Sequence, residues 1–107
     1  MKIFLRFIFI FILIALSFSI DKNYVLDIAF LGNETIQDSE LKGLLRLKEK
    51  TFLSTTEFKS NKLNLDLIAL KSFYQSQGYL DVEIDYSYQK VNESNVSIDF
   101  LISEGRR

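Results

Sequence analysis

The chain is 107 residues long, 48% hydrophobic and 25% charged, so it holds at most one small domain with its own core. It contains neither His nor Cys, which removes the imidazole base, the thiolate nucleophile, the disulfide and the zinc–thiolate site. Without the first twenty residues, and so without Lys2 and Arg6, 11 basic groups face 14 acidic ones, a formal charge of −3 that disfavours a phosphate backbone, and no nucleic-acid partner is expected.

Residues 1–20 open with Lys2 and Arg6, run apolar from Phe7 through Leu16 and close on Ser17-Phe18-Ser19, a small-x-small pattern. That is the layout of a secretory signal peptide cleaved near Ser19. The competing reading is a retained anchor, because Ile3 to Ile20 approaches the roughly 20 residues that a spanning helix needs. No Cys follows the leader, so lipid attachment to a new N-terminal cysteine is not expected. The exported part, 21–107, must then be stable as a single domain through its core alone.

Tyr24 to Leu31 reads as a strand, with Leu26, Ile28 and Phe30 on its apolar side and Gly32-Asn33 ending it. A helix is expected from about Asp38 to Leu47. Leu41, Leu44 and Leu45 have helical spacing, Asp38 and Glu40 suit its first turn, Arg46 and Lys48 suit its end, and Gly43 weakens it. Lys48 to Ser60 reads as a polar connection pinned to the core by Phe52, Leu53 and Phe58. A longer helix follows, with Leu63, Leu67, Leu70 and Tyr74 in one stripe flanked by Phe73, while Leu65 and Ile68 lie off it. It ends at Gly78, where the reversal into a strand calls for a left-handed residue. Leu80, Val82, Ile84, Tyr86 and Tyr88 then alternate with Asp81, Glu83, Asp85, Ser87 and Gln89 as a half-buried strand. Asn92 to Asn95 turns the chain, and Val96, Ile98, Phe100 and Ile102 mark the strand that completes a hairpin. The pattern is β-α-α-β-β, an α+β two-layer domain in which two helices cover one face of a sheet.

Carboxylates are the only acid–base groups present. Asp81, Glu83 and Asp85 share one strand face at roughly 6 to 7 Å per two residues, but a flat solvated face offers no cleft for a glycosidase pair. Three side chains in a row on a strand also cannot wrap a calcium ion with its six or more oxygens. No enzyme activity, metal or cofactor is expected.

In this order and spacing the elements resemble a POTRA (polypeptide-transport-associated) domain of the outer-membrane barrel-assembly and surface-antigen family, over about residues 24–107. The residues that carry the resemblance are Ile28, Phe30, Gly32 and Asn33 (I-x-F-x-G-N), then Leu41, Leu44 and Leu45. They continue with Asp66, Leu70, Tyr74, Gly78 and Tyr79 (D-x3-L-x3-Y-x3-G-Y), and with Val96, Ile98, Phe100 and Ile102 before the Glu104-Gly105-Arg106 end. Read alone, Tyr74 and Tyr79 are core or rim aromatics, and Glu104 to Arg107 would pass for a solvated tail.

The resemblance implies a three-stranded mixed sheet with the last strand central and an edge strand at about Leu80 to Val91. It also implies further POTRA domains and a transmembrane β-barrel beyond Arg107, this chain being an N-terminal fragment, and a periplasmic location at the outer membrane. The implied partners are unfolded outer-membrane or secreted polypeptides, accessory assembly subunits and neighbouring POTRA domains. Asp81, Glu83, Asp85, Ser87 and Gln89 would shape polypeptide binding at the edge by β-augmentation, or guard that edge against aggregation. The alternative is a membrane-anchored scaffold domain of the cell-division FtsQ type, with the leader retained.

Overall fold

The structure, a computed structural model, describes residues 22–107, so the leader and its cleavage site lie outside the described residues. Five elements follow in order: β1 (Tyr24–Leu31), α1 (Asp38–Lys42), α2 (Ser60–Ser76), β2 (Glu83–Lys90) and β3 (Asn95–Ser103). The sheet order is β1-β3-β2, with β3 central, parallel to β1 and antiparallel to β2. This is the expected α+β arrangement with a mixed sheet. Leu41 of α1 and Leu63, Leu70 and Tyr74 of α2 share one core with Ile28, Phe30, Ile84, Ile98, Phe100 and Ile102.

β1 departs from simple alternation. Its register with β3 shifts between Val25 and Asp27, so Leu26 is an extra residue in the strand. Val25, not Leu26, is therefore fully buried beside Ile28 and Phe30. The strand ends where the chain runs close beside Ile102 of β3. A Cβ on Gly32 would lie 1.9 Å from the carbonyl oxygen of Ile102, and the residue has φ +94°, so only glycine fits. Asn33 then fixes the turn through its Nδ2, which donates to the Ile36 carbonyl at 2.8 Å and to Asp38 Oδ1 at 2.6 Å.

α1 is one short piece ending at Lys42, and the expected continuation to Leu47 does not form. A continuing helix would send the N–H groups of Arg46 and Leu47 to the carbonyls of Lys42 and Gly43. Instead both are taken by the Asp66 carboxylate, at 2.7 and 3.1 Å. Leu45 and Leu47 consequently reach the core from an irregular segment. The same contact explains α2, where fully buried Asp66 occupies the core-facing stripe and Leu67 is only half-buried. A buried carboxylate is tolerated here because two backbone donors satisfy it.

α2 closes in a Schellman motif. The Gly78 N–H donates to the Gln75 carbonyl at 3.0 Å and the Tyr79 N–H to the Tyr74 carbonyl at 3.0 Å, with Gly78 at φ +99° as the turn demands. A further turn follows, in which the Leu80 N–H reaches the Gly78 carbonyl and the Val82 N–H that of Tyr79. β2 thus starts at Glu83, and Leu80, expected on its buried side, is 74% exposed. The connection between the helices also differs from expectation. Phe58 packs against the core, but Phe52 and Leu53 are 96% and 82% exposed and pin nothing.

Glu104 is no solvated tail. Its carboxylate is buried and accepts from the Thr35 N–H (3.2 Å), the Thr35 hydroxyl (2.8 Å) and the Tyr74 hydroxyl (2.9 Å). The Tyr79 hydroxyl donates to Thr35 Oγ1 at 3.0 Å, completing a polar knot that ties the chain just beyond the parallel strands β1 and β3, at one end of the sheet, to α2. Burial pulls the Glu104 carboxyl upward, yet the donors of Thr35 and Tyr74 outweigh it and hold the group below the ordinary carboxylate range. Burial, and then the bond to Glu104, push the Tyr74 phenol well above its usual range.

Candidate functional site

The two margins of the sheet are not equivalent. Along the first half of β1, the chain from 49 to 58 lies against the strand. The Val25 N–H donates to the Thr56 carbonyl at 2.9 Å, the Phe58 N–H to the Asn23 carbonyl at 2.7 Å, and the Ile28 N–H to Glu49 Oε2 at 3.3 Å. Glu49 is itself held by Lys42 at 2.7 Å. This margin is strapped.

β2 forms the other margin. The Val91 N–H closes the hairpin on the Asn95 carbonyl at 3.0 Å, and the register from Glu83↔Ser103 to Lys90↔Val96 has no slip. Antiparallel pairing then places Glu83, Asp85, Ser87 and Gln89 in the ladder with β3 and turns the N–H groups of Ile84, Tyr86, Tyr88 and Lys90 outward. Among the described residues, the partner found for such an outward N–H is a side chain next door, Asp85 Oδ1 accepting from Tyr86 at 2.8 Å. The margin is otherwise bare over its length.

The side chains of Glu83, Asp85, Ser87 and Gln89 all stand exposed on the face away from the helices, opposite Ser103, Leu101, Asp99 and Ser97 of β3. The structure thus brings four of the five residues expected at this edge into one row. The fifth, Asp81, lies in the turn before β2 against Gly105, where a Cβ would approach its own to 3.3 Å. Asp99 joins the row, as does Asp27, which accepts from the Ser97 hydroxyl, and no strand residue on this face is basic. At the Gly32 end, Leu31 and Leu101 meet Glu83, Asp85 and Ser103 around an open depression of about 600 Å³.

The helix side of the same margin carries aromatic rings. Tyr88, expected to be buried, is 50% exposed and packs on Phe58 with ring centroids 4.8 Å apart. Tyr86 stacks against Tyr88 at 6.4 Å and donates its hydroxyl to Asn64 Oδ1 at 2.7 Å. Reading the sequence missed this cluster as part of the site. The signal was the change from Val82 and Ile84 to Tyr86 and Tyr88, which marks where the strand leaves the core for its rim. Among the described residues, no group of three or more acidic side chains is placed to hold a metal ion.

A two-layer α+β module with one strapped and one bare sheet margin is the class this geometry defines. The chain belongs to the POTRA family, whose model, described as surface antigen variable number repeat, matches residues 23–105. It is similar to the outer membrane protein assembly factor BamA of Neorickettsia risticii (strain Illinois), 37% identical over 84 residues that make up 75% of this chain and 11% of that protein. A putative outer membrane protein assembly factor of Treponema pallidum (strain Nichols) is 30% identical over 86 residues, 75% of this chain and 10% of that protein. The chain therefore spans about a tenth of the length of either relative. In fold it resembles the crystal structure of Haemophilus influenzae BamA POTRA3-5, with a TM-score of 0.69 and 20% identity over 79% of this chain and 35% of that one. It also resembles Haemophilus influenzae BamA POTRA4, with a TM-score of 0.60 and 16% identity over 81% of this chain and 97% of that one.

Proposed function

We propose that this domain is a periplasmic interaction module of an outer-membrane protein assembly factor and that it receives extended client segments on the β2 margin. The observation that carries this reading is the contrast between the margins, since a strand can be added only where outward N–H and C=O groups stand free. Backbone hydrogen bonds supply affinity that tolerates many sequences. The row Glu83, Asp85, Ser87 and Gln89 favours guests with basic side chains on that face, and Phe58, Tyr86 and Tyr88 receive apolar side chains on the other. The identity of both relatives as outer-membrane protein assembly factors, one of them putative, supports outer-membrane assembly over a cell-division scaffold. Accessory subunits, further POTRA domains and a β-barrel in the parent protein are the other partners of this reading. Cleavage of residues 1–20 as a signal peptide belongs to it too.

The test is an NMR titration with an extended peptide from an outer-membrane protein. Tyr88→Pro removes one outward N–H without touching the ladder to β3, so it should weaken binding at least tenfold with the fold intact. Tyr88→Ala, which keeps the N–H, should bind within a few-fold of the unsubstituted chain. Perturbed amides confined to α1 and α2, with Glu83 to Lys90 unaffected, would refute edge addition.

A further inference from the structure

The connection between α1 and α2 ends in a turn that puts its largest apolar side chains into solvent. Phe52 and Leu53 are the two most exposed large hydrophobic residues described, yet the turn beneath them is ordered. The Thr51 N–H donates to the Ser54 carbonyl at 2.9 Å, and Thr51 Oγ1 accepts from the N–H groups of Leu53 (3.3 Å) and Ser54 (3.1 Å). Three backbone donors of the tip are thus paired within it, and moving the tip into an apolar medium would not strand them.

The charge of the chain is segregated around this tip. Residues 42–62 hold six basic side chains (Lys42, Arg46, Lys48, Lys50, Lys59 and Lys62) against two acidic ones, Glu49 and Glu57. The remaining described residues hold five basic and eleven acidic groups. A domain that is acidic as a whole therefore presents its longest basic segment where its most exposed apolar residues project. An aromatic and a leucine flanked by lysines is the composition of an element that lies in a membrane interface, where apolar burial and attraction to anionic lipid act together. Consecutive side chains at the tip of a turn also splay apart, which suits a continuous apolar phase better than a single concave pocket. No described helix is long and apolar enough to cross a membrane, so the contact is a surface one.

We propose that the 51–54 turn is an interfacial anchor, seating Phe52 and Leu53 below the headgroups of an anionic bilayer while the basic 42–62 segment faces the lipid phosphates.

The chain has no Trp, so Phe52→Trp in the full chain gives a single reporter at the tip. On vesicles of phosphatidylcholine and phosphatidylglycerol in equal parts, its emission should shift to the blue and be quenched by brominated acyl chains. Quenching should fall at least fivefold on phosphatidylcholine alone, and to the same extent on the anionic vesicles when Lys48 and Lys50 are both replaced by Glu. Leu80→Trp, exposed in the turn before β2 at the opposite end of the sheet from the 49–58 connection, should stay unquenched, which separates the tip from adsorption through residues 1–20. Circular dichroism melts matching the unsubstituted chain confirm that each variant folds. A reporter at 52 that anionic vesicles leave unquenched would overturn the proposal and leave the tip to a protein partner. Equal quenching at 52 and 80, or equal quenching on both lipid compositions, would overturn it as well.

Discussion

Glu104→Gln isolates what a buried charge contributes to this fold. The Oε2 atom of Glu104 accepts three hydrogen bonds, from the Thr35 N–H, the Thr35 hydroxyl and the Tyr74 hydroxyl. A glutamine can present a neutral oxygen at the same place, so the bonds survive without charge assistance. A hydrogen bond to a charged group contributes about 1.5–3 kcal/mol and a neutral one about 0.5–1.5, so three weakened bonds cost roughly 2–3 kcal/mol. That is a large share of the about 5–15 kcal/mol of a typical domain. Because the folded-state carboxyl sits below its ordinary range, its contribution is fully present above the unfolded value of about 4.3 and is lost as pH falls through the folded value. Urea denaturation at pH 7 and at pH 3 should therefore show a gap between the unsubstituted chain and the Glu104→Gln variant that narrows in acid. Tyr74→Phe should cost about 1–2 kcal/mol with Glu104 present and less with glutamine in its place, since the pair is coupled. Equal stability of the two chains at pH 7, or a gap as wide at pH 3, would refute the role given to this carboxylate.

Gly32→Ala should leave no folded protein or lower stability by more than about 3 kcal/mol, because its Cβ cannot coexist with the Ile102 carbonyl, and thermal denaturation by circular dichroism reads this directly. Asp66→Ala should cost about 2–4 kcal/mol, since it leaves the Arg46 and Leu47 N–H groups without their acceptor, and hydrogen exchange at those two amides should speed up before the rest. Gly78→Val should lower the urea midpoint by the equivalent of about 1–2 kcal/mol, the cost of forcing a branched residue into a left-handed conformation, and an unchanged midpoint would contradict the Schellman closure.

The hairpin and the long helix were legible in the sequence because their periods are clean. Val96, Ile98, Phe100 and Ile102 alternate without a break, and Leu63, Leu70 and Tyr74 keep helical spacing, so local pattern and global fold agree there. Three features resisted for physical reasons. One inserted residue at Leu26 exchanges the faces of a strand, and a period of two cannot reveal an insertion. Asp66 reads as a solvated position until the two amides that neutralise its burial are known, and those lie 20 and 19 residues away. The spacing of Leu44 and Leu45 fits a helix, which the same long-range carboxylate cuts short. At the edge, the row Glu83, Asp85, Ser87 and Gln89 followed from alternation. That the opposite margin is covered depends on how residues 49–58 fold back, which no pattern encodes.

The strap on β1 sets a number as well as a place. A sheet that can be extended at both margins can be linked into a chain of sheets, and each added strand offers a fresh template for the next. With Thr56, Phe58 and Glu49 lying along β1, only its last few residues stay open on that side, shorter than an ordinary strand of about five to six residues. If guests add to the β2 margin as proposed, the domain would have a valency of one. Each domain would hold a single guest and, in an array, the stoichiometry of guests would count the domains.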